Sequence, residues 1–188
     1  MTFAKKILSM VFESEVVAHI EGPPGAGKTT LLANLQRIYP SLTFKDIDLF
    51  IYQAAKRLGL NRTYGFSEEE WEKLGIETQK IMDKWIGQKK KPIVLGGILG
   101  TFGRSSLAVS PEHKYLLNTP AYKSAWRALG RLKKNTPGQP HPLVSQIKYY
   151  AHKYGQAKET IKHSKLLGYK PTSPEQIMKE ISRISSRR

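Results

Sequence analysis

The sequence predicts an α/β fold, a three-layer sandwich in which helices cover both faces of a parallel sheet. Three observations predict it. Short apolar runs at residues 16–20, 93–95 and 115–117 are separated by longer segments whose apolar residues recur at helical spacing. The order through the first half reads βαβααβ, the pattern of crossover connections between parallel strands. A glycine-rich turn, Gly22-Pro23-Pro24-Gly25-Ala26-Gly27-Lys28-Thr29, joins the first strand to the first helix.

Taken in order, Val16-Val17-Ala18-His19-Ile20 is a short buried strand. After the turn, residues 30–38 carry leucines and an isoleucine at helical spacing until Pro40 stops them. Residues 41–44 make a second strand, ending in Lys45-Asp46-Ile47-Asp48, and a helix follows over about residues 49–58. Residues 59–65 read as loop. Ser67 followed by Glu68, Glu69 and Glu70 is a capping-box start with negative charge on the first turn. That helix runs to about residue 85, and Lys89-Lys90-Lys91-Pro92 closes it.

The third strand, 93–95, ends in Gly96-Gly97, and the fourth, 115–117, ends at Asn118-Thr119-Pro120. A helix spans about residues 121–132. Turn-forming residues dominate 133–142, which reads as a flap, so a mobile lid is expected over about 131–142. A helix over 143–165, a short strand near 166–169 and a final helix from Ser173-Pro174-Glu175 to Ser182 complete one domain spanning 1–188, with a basic tail at 183–188.

A chain of 188 residues with 39 % hydrophobic and 24 % charged residues has the composition of a globular domain with a real core. No apolar run approaches a membrane span, and the first residues are too short and acidic a segment for a secretory signal. With no cysteine, disulfides, thiolate catalysis and cysteine-bound metals are excluded. A cytoplasmic location is expected, with a virion or nucleus also compatible.

Charge is unevenly placed. Residues 1–83 hold 10 Lys/Arg against 11 Asp/Glu, a net of −1, whereas residues 84–188 hold 21 against 4, a net of +17. Such an excess draws phosphates, nucleic acid or another polyanion toward the second half.

The glycine turn fits the phosphate-binding (Walker A) pattern G-x-x-x-x-G-K-[ST] at every fixed position and lies between a strand and a helix. Its glycines let successive N–H groups point into one concavity at a helix N-terminus. Lys28 is expected to reach the β- and γ-phosphates of a nucleoside triphosphate, Thr29 to ligate Mg²⁺, and Thr30 to lie near the α-phosphate.

The strand ends narrow the chemistry. Motor ATPases and GTPases carry an acidic residue at the end of a second core strand, but here the third strand ends in Gly96-Gly97, and no N-K-x-D or D-x-x-G element occurs. Asp46 and Asp48 follow the second strand instead. Alternation places both on one side of an extended segment, one to assist Mg²⁺ and the other to orient or deprotonate an acceptor hydroxyl. Asp48 also stands where a helix N-cap would. The five histidines show no metal-ligand spacing, and Trp71, Trp85 and Trp126 read as core or groove packing.

These residues, together with Arg127, His141-Pro142-Leu143-Val144 after a flap, and Ser173-Pro174-Glu175, occur in the order seen in shikimate kinases, which the chain resembles over roughly residues 16–182. The resemblance implies a P-loop NTPase sandwich with a five-stranded parallel sheet in the order 2-3-1-4-5, ATP as donor, Mg²⁺ as cofactor and a closing lid. It implies that Asp46 assists Mg²⁺, that Asp48 contacts the acceptor hydroxyl and that Gly96 and Gly97 line the acceptor pocket. Arg127 and Pro174 would flank the adenine, and Arg131, Lys133 or Lys134 would swing in with the lid. Arg62 and Arg104 fall in loops on the acceptor side and are candidate substrate contacts.

Three departures argue against shikimate as the acceptor. The family's carboxylate-gripping arginine is missing from Trp71-Glu72-Lys73-Leu74-Gly75-Ile76-Glu77, its third glycine is Ile98, and its lid-end arginine is His141. The sequence therefore predicts a kinase acting on a small-molecule hydroxyl or phosphate. Two other readings stand beside it: a kinase of nucleotides or polynucleotide 5′-hydroxyls that uses the basic half, and a nucleotide-binding structural protein associated with nucleic acid.

Overall fold

The computed structural model describes residues 16–60, 66–89, 91–97, 111–135 and 142–186, the side chains of 133–135 excepted. Five parallel strands form one sheet: β1 (Val16–Glu21), β2 (Thr43–Asp46), β3 (Ile93–Gly96), β4 (His113–Leu117) and β5 (Lys170–Thr172), in the order β2-β3-β1-β4-β5. The helices are α1 (Lys28–Ile38), α2 (Asp48–Arg57), α3 (Glu68–Ile86), α4 (Ala121–Asn135), α5 (Leu143–Leu166) and α6 (Pro174–Ser186). Both the α/β class and the 2-3-1-4-5 order agree with the sequence expectation.

Period-two alternation along the strands divides the core. Ala18, Ile20, Val94, Tyr115 and Leu117 pack with Leu31, Leu32 and Leu35 of α1 and Ile177, Ile181 and Ile184 of α6. Ile93 and Leu95 pack with Phe50 and Ala54 of α2 and with Leu74, Ile81 and Met82 of α3. The registers Ile20↔Gly96 and Asp46↔Gly96 bring the carboxyl ends of β1, β2 and β3 level, so their loops open along one edge beside α1. That edge is where open α/β sheets hold ligands.

Local signals explain the element boundaries. Ser67 accepts a hydrogen bond from Glu70 N at 3.2 Å, and the Glu70 carboxylate accepts from Ser67 N at 2.7 Å, completing the expected capping box of α3. The fifth strand is a correction: residues 166–169 do not form it. Gly168 takes φ +83°, and the N–H groups of Leu167, Gly168 and Tyr169 return to carbonyls in the last turn of α5, so this stretch closes a helix and the strand begins at Lys170. At the expected lid, α4 continues to Asn135, which makes Arg131 a helical residue; residues 136–141, with His141, lie outside the described residues. No described helix is long and apolar enough to cross a membrane.

Leu35 is fully buried beneath α1 in the core shared with α6. Leu35→Ala should lower unfolding stability by about 2–5 kcal/mol, read from urea denaturation midpoints.

Candidate functional site

The turn after β1 is built to leave backbone donors free for an anion. Gly27 stands at the N-cap of α1 with φ +98°, with no side-chain cap, and the first helical turn holds no acidic residue. A Cβ at Gly27 would meet nothing within 4 Å, so the space above the helix N-terminus is open. The loop's own carbonyls are engaged elsewhere. Pro23 O accepts from Ala26 N at 3.0 Å, Pro24 O from the Ser124 hydroxyl at 2.5 Å and Ala26 O from the Thr119 hydroxyl at 3.2 Å. Phosphate oxygens fit this concavity on geometric and electrostatic grounds.

Lys28 is buried and donates to Gly22 O at 2.6 Å and Pro23 O at 3.2 Å. Burial lowers its pKa, while Asp48, Asp46 and Glu21 raise it and Arg131 lowers it. Thr29 donates its hydroxyl proton to Asp46 Oδ2 at 3.2 Å, and Asp46 Oδ1 accepts from Asp48 N at 3.1 Å. The hydroxyl and carboxylate that the sequence assigns to Mg²⁺ are therefore adjacent, which suits a hard cation with oxygen ligands.

Asp46 and Asp48 are brought together by a different geometry from the expected alternation. β2 stops at Asp46, Ile47 is the buried N-cap of α2, and Asp48 is the first residue of that helix. Ile47 N donates to Gly96 O at 2.7 Å, which turns the chain sharply enough to swing Asp48 toward the loop. Asp48 does not cap the helix. The residue is exposed, yet its carboxyl end is turned into the cavity. The protein packed around it and the neighbouring Asp46 charge push its pKa up, while Lys28 and Arg131 pull it down.

A cavity of about 770 Å³ runs from this cluster along α1. Its lining includes Lys28, Thr29, Asp48 and Arg131, together with Leu117, Arg127, Pro174 and Met178. Thr30, Pro24, Gly25, Ala26 and Gly27 complete its loop wall. Another cavity, of about 600 Å³, between β4 and β5 contains none of these residues.

The two glycines at the end of β3 are differently engaged. A Cβ at Gly96 would lie 2.5 Å from Leu32 Cδ1, so this glycine admits α1 against the sheet. At Gly97, with φ +136°, a Cβ would come within 2.8 Å of Ile47 Cβ and 3.5 Å of Asp46 Oδ1. Arg62 and Arg104 lie outside the described residues, as do the side chains of Lys133 and Lys134. Among the described residues, no group of three His, Asp or Glu side chains is placed to hold a metal. Trp126 departs from the packing role expected of it, being 69 % exposed.

Sequence reasoning passed over a buried polar cluster behind the loop. His19 and Glu21, two apart on β1, face the end of α5; His19 Nδ1 lies 2.6 Å from the Tyr169 hydroxyl. Burial, with Lys28 and Lys114, lowers the His19 pKa to about 3, against a backbone contact with Gly97. Burial raises Glu21 to about 7, opposed by Ser164 and Lys28, and its Oε2 has no partner. The available signal was the placement of two ionisable residues at alternate positions of an otherwise apolar strand.

Comparison with known proteins gives the fold. A scan against protein-family models found no match, nor did a search of curated proteins. Among solved structures, shikimate kinase from Acinetobacter baumannii in complex with shikimate matches with a TM-score of 0.51 at 17 % identity, over 94 % of this chain and 96 % of that one. The protein TT1252 from Thermus thermophilus matches with a TM-score of 0.57 at 18 % identity, over 90 % of this chain and 97 % of that one. The chain therefore shares its fold with shikimate kinase.

Two outcomes follow from the loop and the buried cluster. Gly25 has φ +91°, and a Cβ there would lie 2.4 Å from Ser124 O, so Gly25→Ala should destabilise the protein by about 1–3 kcal/mol and weaken triphosphate binding, measured by denaturation and calorimetric titration. Glu21, raised from 4.5 to about 7, holds a proton in the folded state that the unfolded chain has already released, so it makes stability fall as pH rises from about 4.5 to 7. Glu21→Gln should remove that fall and stabilise the protein at pH 8 by about 1–3 kcal/mol, with no gain at pH 4. His19 acts oppositely, losing stability as pH drops from 6.5 toward 3, so the acid-side fall should survive the substitution. Urea midpoints across pH check both slopes.

Proposed function

We propose that this protein is an ATP-dependent kinase that transfers the γ-phosphoryl group to a hydroxyl or phosphate of a small-molecule acceptor. The convergence of Lys28, Thr29, Asp48 and Arg131 on one cavity, with Asp46 hydrogen-bonded to Thr29, supports the reading. Those residue types are what transfer requires: donors for the phosphates, a carboxylate for the acceptor proton and cations for the charge of the transferring group.

The open concavity before α1 would take the β- and γ-phosphates on backbone N–H groups, with Lys28 exchanging its loop carbonyls for phosphate oxygens. Thr29 and Asp46 would hold Mg²⁺, which when bound draws charge from the phosphate oxygens. Arg127 and Pro174, with Leu117 and Met178 in the same cavity lining, would take the base.

Asp48 would accept the proton of the acceptor hydroxyl as its oxygen bonds to the γ-phosphorus and the bond to the β-phosphate bridging oxygen breaks, releasing ADP. A raised pKa suits that role, because the carboxylate then holds the proton more readily than an ordinary one. Arg131, a residue of α4, would neutralise the equatorial oxygens. Gly97, close to Asp46, would lie at the edge of the acceptor pocket, whereas Gly96 is filled over by Leu32 of α1 and makes room for that helix, not for an acceptor. Arg62 and Arg104 would serve an anionic acceptor. With no arginine in residues 71–77, a shikimate-type carboxylate grip is absent, which favours a different acceptor.

The test is incubation with γ-labelled ATP, Mg²⁺ and a panel of hydroxy acids, nucleosides, nucleotides and oligonucleotides. Label should reach one class of acceptor. Lys28→Ala should abolish transfer, and Asp48→Asn should lower kcat by about 10²–10⁴-fold with less change in the KM for ATP. Transfer that survives Lys28→Ala, or ATP binding with no transfer to any acceptor, would overturn the reading.

A further inference from the structure

The helices α4 and α5 pack along each other and carry much of the basic half's charge. α4 holds Lys123, Arg127, Arg131, Lys133 and Lys134 with no acidic residue. α5 holds Lys148, Lys153, Lys158, Lys162 and Lys165 against Glu159 alone. From residue 143 to 156, no residue of α5 is buried, although the stretch includes Leu143, Val144, Ile147 and three tyrosines. This half of α5 has apolar surface that the protein's own core does not use.

The aromatic rings on this surface are ordered. Trp126 of α4 meets Tyr150 of α5 edge to face with centroids 6.4 Å apart, and Tyr150 stacks with Tyr154 at 6.4 Å and an interplanar angle of 11°. Trp126 is 69 % exposed and Tyr154 38 %. Cations interleave with the rings one helical turn on: Lys153 Nζ lies 5.5 Å from the Tyr149 ring centre and Lys158 Nζ 5.7 Å from that of Tyr154. Rings that served only to join the two helices would be covered by them.

We propose that the outer face of α4 and α5 binds single-stranded nucleic acid, with Trp126, Tyr150 and Tyr154 stacking bases and Lys153, Lys158 and their neighbours contacting phosphates. A row of aromatic faces set among cations is the chemistry that recognises unpaired bases on a polyanionic backbone. Charge complementarity selects this occupant. A second copy would bring the same positive charge to the contact, and an acidic polypeptide would leave the ring faces unused. Duplex hides its base faces inside the stack. The face borders the nucleotide cavity, since Lys153 is close enough to Arg131 for the two charges to repel. Binding here goes beyond phosphoryl transfer and does not depend on it.

The test is fluorescence anisotropy with labelled dT12 and rU12 strands and a duplex of equal length, between 50 and 300 mM salt. The single strands should bind more tightly than the duplex, and affinity should fall with salt. Trp126→Ala with Tyr154→Ala should weaken binding by about tenfold or more while leaving the salt slope unchanged. Lys153→Ala with Lys158→Ala should reduce both affinity and slope. Lys28→Ala should bind strands normally, which separates this result from the outcome of the kinase assay. In the unaltered protein, bound strands should quench tryptophan emission and shield it from acrylamide, a readout that stands if an aromatic variant fails to fold. No binding at 50 mM salt, equal affinity for duplex, or full affinity in the folded aromatic variant would overturn the proposal; the last two would mark a bare electrostatic patch. So would a preference for an acidic polypeptide such as polyglutamate over the strands.

Discussion

The approach of α4 onto the phosphate-loop turn is the constraint on which the rest of the site depends. Gly25 has no side chain, and a Cβ would stand 2.4 Å from the Ser124 carbonyl oxygen. Ser124 then ties its hydroxyl to Pro24 O, and Thr119, just before α4, ties its own to Ala26 O. These bonds occupy the carbonyls of the turn and hold it open toward solvent. They also fix α4 at the height that places Arg127 and Arg131 along the cavity and leaves Trp126 facing outward. A bulkier residue at position 25 would move the loop and the helix together.

The cavity is a seam between the acid-bearing first half of the chain and the basic second half. α1, Asp46 and Asp48 come from one side; Arg127, Arg131 and Pro174 come from the other. A buried lysine needs compensation, and Asp48, Asp46 and Glu21 supply it. A nucleoside triphosphate between the halves would find donors on one wall and cations on the opposite one. Together, α4 and α5 carry ten Lys and Arg against one Glu, which concentrates the chain's positive charge on this helix pair.

Much of this was legible where short-range rules decide the structure. Strand, turn and helix at residues 16–38, the capping box at Ser67 and Glu70, and the aspartates near the loop follow from local pattern. The misplaced fifth strand shows the limit of that reading. Leu166, Leu167 and Tyr169 look like strand residues, but Gly168 in the left-handed region and bonds returning to the last turn of α5 made the stretch a helix end. Large aromatic residues on helices usually pack, but the exposure of Trp126 depends on which side of α4 meets the loop. His19 falls within the strand the sequence reads as buried, but its contact with Tyr169 and the burial of Glu21 depend on where α5 ends against β1.

By itself the sequence determined the α/β class, the glycine-rich turn between the first strand and helix, and the asymmetry of charge. Each is written in contiguous residues, where backbone sterics, hydrophobic period and formal charge act over a few positions. The tertiary structure alone decided that Asp48 reaches the loop from a helix start, that Glu21 is buried behind Lys28, and that Trp126, Tyr150 and Tyr154 line up across two helices. Those facts depend on contacts between residues distant in the chain, set by how each helix packs on the sheet, and no local pattern encodes that distance.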